Sequence, residues 1–155
     1  MTHKNSFSSI VSQADLERCA WRLAQHAQAG DVFALSGEVG AGKTTFSQAF
    51  IRALCGEATI VTSPTFTLVH TYMSLNGNSV WHYDLYRIEH PQHIVELALE
   101  DALCDGITLI EWPEIILDTL PAHTVHITFA FDENSEYRTI RFDGDKPWTT
   151  ILPHL

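Results

Sequence analysis

The run Gly37-Glu38-Val39-Gly40-Ala41-Gly42-Lys43-Thr44 constrains this chain more than any other stretch of it. It matches G-x-x-x-x-G-K-[ST], the phosphate-binding loop that joins a strand to a helix in nucleotide triphosphatases. The glycines permit a tight turn and bring bare backbone N–H groups up to phosphate oxygens. Lys43 carries a compact positive charge toward the β- and γ-phosphates, and Thr44 offers a hydroxyl to Mg²⁺. The helix that starts here points the positive end of its dipole at the same anion. At average residue usage the four fixed positions coincide by chance about once in 30,000 windows. The flanks agree with the motif. Residues 31–35 (DVFAL) read as a short buried strand, and Phe46, Ala49, Phe50, Ala53 and Leu54 recur at helical spacing until Gly56, a residue type favoured just past a helix C-terminus.

The rest of the chain supplies the body around that loop. Its 155 residues suit one domain, read as residues 1–155 with a flexible polar start over residues 1–9. Ser12 and Asp15 form an acidic variant of a capping box, which opens a helix bearing Leu16, Cys19, Ala20, Leu23 and Ala27 on one face and ending near Gly30. Residues 67–72 and 79–86 are rich in β-branched and aromatic side chains and flank Asn76-Gly77-Asn78, which predicts a β-hairpin. A helix is predicted over residues 93–103, a strand over 107–110, a short helix over 112–117, and strands over 124–131 and 137–142. The order implies an α/β fold: a P-loop NTPase-like three-layer sandwich with a mixed, mainly parallel central sheet.

Charge and composition exclude several roles. Nine Lys and Arg face nineteen Asp and Glu, for a net charge of −10. That opposes free-standing binding to nucleic acid, which needs a basic patch for phosphates, and suits a partner with a basic surface. No apolar run approaches the ~20 residues of a membrane span. The polar N-terminus lacks the apolar core of a signal peptide, so no membrane association and a cytoplasmic location are expected. Cys19, Cys55 and Cys104 are widely spaced without C-x-x-C and read as reduced, mostly packed thiols.

A phosphate loop alone only binds. Hydrolysis or transfer also needs an acid to orient the metal and a group to position the attacking atom. In open α/β sheets such groups sit at the C-terminal ends of central strands. Glu111 follows the apolar run 107–110 and is assigned to the metal or its water shell. Asp84 follows residues 80–83 and is assigned to the metal or to activating water; either acid could instead be a plain strand-end cap. Thr65, in the loop Ser63-Pro64-Thr65-Phe66, is the candidate to sense the γ-phosphate and give a hydroxyl to Mg²⁺ or water. Arg87 could neutralise transition-state charge or form a structural ion pair. Trp112 could lie near the phosphates or be a buried aromatic. His90 and His93 can meet on one helix turn but have no third ligand nearby in sequence.

Four segments together carry a family resemblance: residues 37–46 (GEVGAGKTTF), 63–69 (SPTFTLV), 82–87 (HYDLYR) and 109–113 (LIEWP). Over about residues 32–113 the chain resembles the TsaE (formerly YjeE) family, small bacterial ATPases of tRNA threonylcarbamoyladenosine synthesis. The resemblance implies a small P-loop α/β domain that binds ATP, and its product ADP, with Mg²⁺. It implies TsaD and TsaB as protein partners, which modify adenosine 37 of tRNA, so that tRNA is met only indirectly. It further implies that Thr44 and Glu111 hold Mg²⁺, that Lys43 and Thr45 hold phosphates, and that Asp84 and Thr65 serve a slow hydrolysis supporting repeated cycles of the partner complex.

Other enzymes share the loop. A small-molecule kinase is the main alternative, but it needs a lid and extra basic residues for its second substrate, and this chain is short of both. A GTPase switch needs D-x-x-G and N-K-x-D, and neither occurs. A nucleotide-binding module without turnover is the third alternative.

Overall fold

Along the predicted strands, apolar side chains alternate between two hydrophobic clusters, and that alternation sets the layers. The computed structural model describes residues 5–145 and 148. In chain order it holds β1 (Asn5–Ser12), α1 (Gln13–His26), β2 (Val32–Gly37), α2 (Lys43–Cys55), β3 (Val69–Met73), β4 (Ser79–Asp84), α3 (Leu99–Asp105), β5 (Ile107–Glu111), β6 (Val125–Phe131) and β7 (Tyr137–Gly144). Two 3₁₀ segments, Pro91–Leu97 and Pro113–Thr119, precede α3 and follow β5.

The strands form one seven-stranded sheet in the order β1-β7-β6-β2-β5-β4-β3. The central pairings β6–β2, β2–β5 and β5–β4 are parallel, and the outer pairings β1–β7, β7–β6 and β4–β3 are antiparallel. Parallel strands must be covered on both faces, and these are. Phe33 and Leu35 of β2, Leu109 of β5 and Ile127 of β6 point to one side, against Leu16 and Leu23 of α1 and Phe46 and Phe50 of α2. Val32, Tyr83 and Ile110 point to the other side, against Ile94, Ala102 and Ile116 from α3 and the two 3₁₀ segments. This is the three-layer α/β sandwich, with its parallel centre held between antiparallel margins.

The structure departs from the sequence reading at three places. Residues 5–9, expected to be flexible, are part of β1, which pairs with β7 from Asn5↔Gly144 to Ser12↔Tyr137; residues 1–4 lie outside the described residues. Phe7 and Val11 pack against the core while serines alternate with them, a period-2 pattern with little intrinsic strand preference. The helix predicted over 93–103 is broken at Ala98, which adopts a left-handed conformation with φ 55° between the 3₁₀ segment and α3. The α1 helix stops at His26 rather than near Gly30. Its start agrees with the reading: Ser12 Oγ accepts from the Asp15 N–H at 3.2 Å.

Cys19 lies on the buried face of α1, and burial pushes the pKa of its thiol up to about 12, while Cys104 is exposed. Among the described residues no helix is long and apolar enough to cross a membrane.

Candidate functional site

The C-terminal ends of β2, β5 and β4 lie side by side, because Glu111 is registered with Leu35 on one side and with Asp84 on the other. The chain leaves β2 at Gly37, turns through residues 38–42 and enters α2 at Lys43. Two glycines make that turn possible. At Gly37, with φ +149°, an added Cβ would fall 2.4 Å from the Phe129 carbonyl oxygen on the neighbouring strand. At Gly42, the N-cap of α2 with φ +116°, it would fall 2.9 Å from Leu16 Cδ2 on α1. Backbone cannot yield as a side chain can, so Gly37→Ala is expected to be the costlier change. Left-handed strain alone costs about 1–3 kcal/mol, and each kcal/mol lowers Tm by roughly 2–4 °C in a domain of this size. Calorimetric melting of the two alanine variants checks the order.

Lys43 is 4% exposed, and its ammonium is aimed back along the loop. Nζ donates to the carbonyl oxygens of Gly37 and, at 2.9 Å, of Glu38. It also lies 4.2 Å from the centre of the Trp112 ring, a cation–π contact. Burial lowers its pKa, and the nearby carboxylates of Glu111, Glu114 and Asp84 oppose that shift.

Glu111 closes β5 and is 1% exposed. Its Oε1 accepts the Thr44 hydroxyl at 2.8 Å, and its Oε2 lies 2.5 Å from His82 Nε2. Since Thr44 donates its proton to the carboxylate, its oxygen lone pairs are left for a cation. Asp84 closes β4 and is 5% exposed. Its Oδ2 accepts the Thr65 hydroxyl at 3.0 Å, and its Oδ1 accepts the Tyr86 N–H at 3.0 Å. Ser63 Oγ lies 2.7 Å from Thr65 Oγ1, which continues the chain of hydroxyls. The Tyr86 contact is the strand-end cap weighed as the plain reading, yet the same carboxylate faces the cleft.

These side chains line one cleft of about 300 Å³, formed by Val39, Gly40, Gly42, Lys43, Thr44, Thr45, Thr65, Asp84, Tyr86, Glu111 and Trp112. Of the other loop residues, Gly37 supports the turn, Glu38 is exposed, and Ala41 is buried in the core, so its own side chain faces away from the cleft. Trp112 joins the two readings. It is half-buried against the second hydrophobic cluster, adopts φ 57°, and its ring contacts both Lys43 and Tyr86 at the cleft. Arg87 is exposed and stacks 4.3 Å over Phe66 beside the cleft; among the described residues it pairs with no carboxylate. His90 and His93 meet edge to face at 5.5 Å.

His82 and Tyr86 were not singled out as individual site residues from the sequence. The signal for His82 was its place two residues before Asp84, which puts both on one face of β4.

The donor set suits a polyphosphate with a hard divalent cation. Loop and helix amides and one ammonium could take the anion. The hydroxyl of Thr44 and the carboxylates of Glu111 and Asp84 could supply oxygen to the cation. Among the described residues no group of three or more His, Cys, Asp or Glu could hold a metal by itself. Mg²⁺ would fit that economy, since it is usually held by one or two carboxylates together with waters and substrate phosphates.

A family model described as "Threonylcarbamoyl adenosine biosynthesis protein TsaE" matches residues 10–140. The tRNA threonylcarbamoyladenosine biosynthesis protein TsaE of Rickettsia conorii is 40% identical over 133 residues, which covers 85% of this chain and 75% of that protein. The protein of the same name from Bacillus subtilis is 36% identical over 118 residues, covering 76% of this chain and 72% of its own length. The crystal structure of YdiB from Bacillus subtilis superposes with a TM-score of 0.74 at 26% identity and covers 99% of this chain and 95% of that one. The likeness supports a P-loop NTPase-like fold.

Proposed function

We propose, from the premise that this chain belongs to the threonylcarbamoyl adenosine biosynthesis protein TsaE family, that it is a magnesium-dependent ATPase acting on a partner complex. A role in tRNA threonylcarbamoyladenosine biosynthesis goes with that membership. The observation that carries the ATPase reading is the meeting of Lys43, Thr44, Thr65, Asp84 and Glu111 in one cleft at the ends of three adjacent parallel strands.

In this reading the amides of residues 38–44 and the Lys43 ammonium grip the β- and γ-phosphates of ATP, with Thr45 beside them. Thr44, oriented by Glu111, offers its oxygen to Mg²⁺. When bound, Mg²⁺ neutralises charge on the phosphates and draws the terminal group into line. Asp84, held at both carboxylate oxygens by Thr65 and the Tyr86 N–H, orients a water toward the γ-phosphorus. The water oxygen forms the new P–O bond, the bond to the ADP oxygen breaks, and Asp84 takes up the proton. Turnover by the isolated chain is slow, as the family resemblance implies. The partners are TsaD and TsaB, and tRNA is reached through them, in keeping with the net charge of −10.

Phosphate release from ATP and Mg²⁺ tests this, measured for the chain alone and with the purified TsaB–TsaD complex. Slow release alone, faster release with the complex and background release in EDTA are the expected results. Phosphate that stays at background under every condition would reduce the chain to a binding module. ADP that appears only with a small phosphoacceptor would make it a kinase.

A further inference from the structure

His82 is fully buried on β4, and its imidazole touches the site from beneath rather than lining it. Its Nε2 sits 2.5 Å from Glu111 Oε2. An ionised carboxylate can only accept, so the ring proton is on Nε2 and points at Glu111. The second ring nitrogen, Nδ1, is buried and meets no hydrogen-bond partner among the described residues. A leucine would fill this place without leaving a polar atom unpaired, so packing alone is a poor account of a histidine here. What the histidine adds is a donor at one end of Glu111, while Thr44 donates at the other end, 2.8 Å from Oε1.

We propose that His82 is a positioning residue for the magnesium site: it clamps Glu111 in the rotamer that turns the Thr44 oxygen toward the cation. The inference rests on the reading of Thr44 and Glu111 as the groups that hold Mg²⁺. It adds a residue that touches neither cation nor nucleotide. The β4 sequence builds the arrangement with two residues. His82 and Asp84 share one strand face, and the parallel register sets Asp84 opposite Glu111 and His82 opposite Leu109, so His82 reaches forward along β5 to the carboxylate.

A matched pair of polar variants tests it. In His82→Gln the amide nitrogen reaches about as far as Nε2, whereas in His82→Asn it stops short of Glu111. Binding of ADP is measured in EDTA and across a Mg²⁺ titration, with melting of both variants recorded alongside. His82→Asn is expected to raise the half-saturating Mg²⁺ about tenfold or more, the usual loss when a partner of a metal ligand is removed, while His82→Gln stays within about threefold of the parent. ADP affinity in EDTA should change less than about twofold in either, since no phosphate contact is lost. Equal behaviour of the two variants across the Mg²⁺ titration, shifted or unshifted, overturns the proposal.

A measurement on the unaltered chain decides the matter even if both variants fail to fold. ¹H–¹⁵N correlation of the His82 ring should show a proton on Nε2, with that proton shifting when Mg²⁺ is added to the ADP complex. An Nδ1–H form overturns the clamp. If the unaltered chain binds ADP equally well with and without Mg²⁺, the magnesium reading itself falls and takes this proposal with it, whatever the ring spectrum shows.

Discussion

Replacing Glu111 by alanine is expected to lower magnesium-dependent ATP hydrolysis about a hundredfold or more, with ADP affinity in EDTA held within about twofold. The asymmetry follows from what Glu111 touches. It makes no contact that a phosphate would need, but it receives the Thr44 hydroxyl and the His82 N–H. Without the carboxylate, Thr44 is free to rotate its oxygen away from the cation, and the negative charge that attracts the cation is halved at the strand ends. The change also leaves the fully buried His82 N–H without an acceptor, whereas Thr44, half-buried at the cleft, keeps access to water. A buried donor left unpaired can cost about 1–3 kcal/mol, so a lower Tm is expected as well. Hydrolysis and EDTA binding must therefore be compared at a temperature where the variant is folded. Equal losses in the two assays would mean a damaged fold rather than a lost magnesium group.

Lys43→Ala should instead weaken nucleotide binding in both the presence and the absence of Mg²⁺. A charge-assisted hydrogen bond contributes about 1.5–3 kcal/mol, or roughly ten- to a hundredfold in affinity. Calorimetric titration with ADP and with a non-hydrolysable ATP analogue measures it, and unchanged affinity would contradict the role of Lys43. The structure separates this from a folding effect. Desolvation is the largest influence on the Lys43 pKa, so it offsets part of what the ammonium's bonds to the Gly37 and Glu38 carbonyls contribute to the fold. Loss of affinity without a matching loss of Tm is the signature. The same lowered pKa gives a pH dependence with a definite sign. The ammonium sheds its proton at a lower pH than an ordinary lysine, so affinity for phosphates is kept on the acid side and declines as pH rises through that value.

The parts of the site that were legible in the sequence share a cause. Lys43 and Thr44 belong to a loop whose chemistry is local, and Asp84 and Glu111 end strands whose apolar runs are visible in the sequence. In a parallel sheet, strand ends meet at one edge, so position along the chain becomes position in space. His82 escaped because its partner lies 29 residues away, and its spacing from Asp84 gives the strand face they share but not the carboxylate it meets. β1 escaped for a similar reason: its serines carry little strand preference, and it exists because β7 offers a ladder. The break at Ala98 runs against local preference outright, since alanine is the best helix former. There the tertiary structure prevails. The Tyr83 hydroxyl donates to the Leu97 carbonyl at 2.7 Å, engaging the backbone where a continuous helix would have used that oxygen. Trp112 was left between two readings because its left-handed backbone, with φ 57°, depends on the turn out of β5 and not on its own side chain.

The pairing of β1 with β7 also bears on how this protein is handled. From Asn5↔Gly144 to Ser12↔Tyr137 the first strand shields the margin of the sheet, and its own outer rim is dressed in serines. Trimming or a bulky fusion that peels it away would bare a run of amide and carbonyl groups able to zip onto a neighbouring molecule, so clumping on storage would report a lost N-terminus before any catalytic assay did.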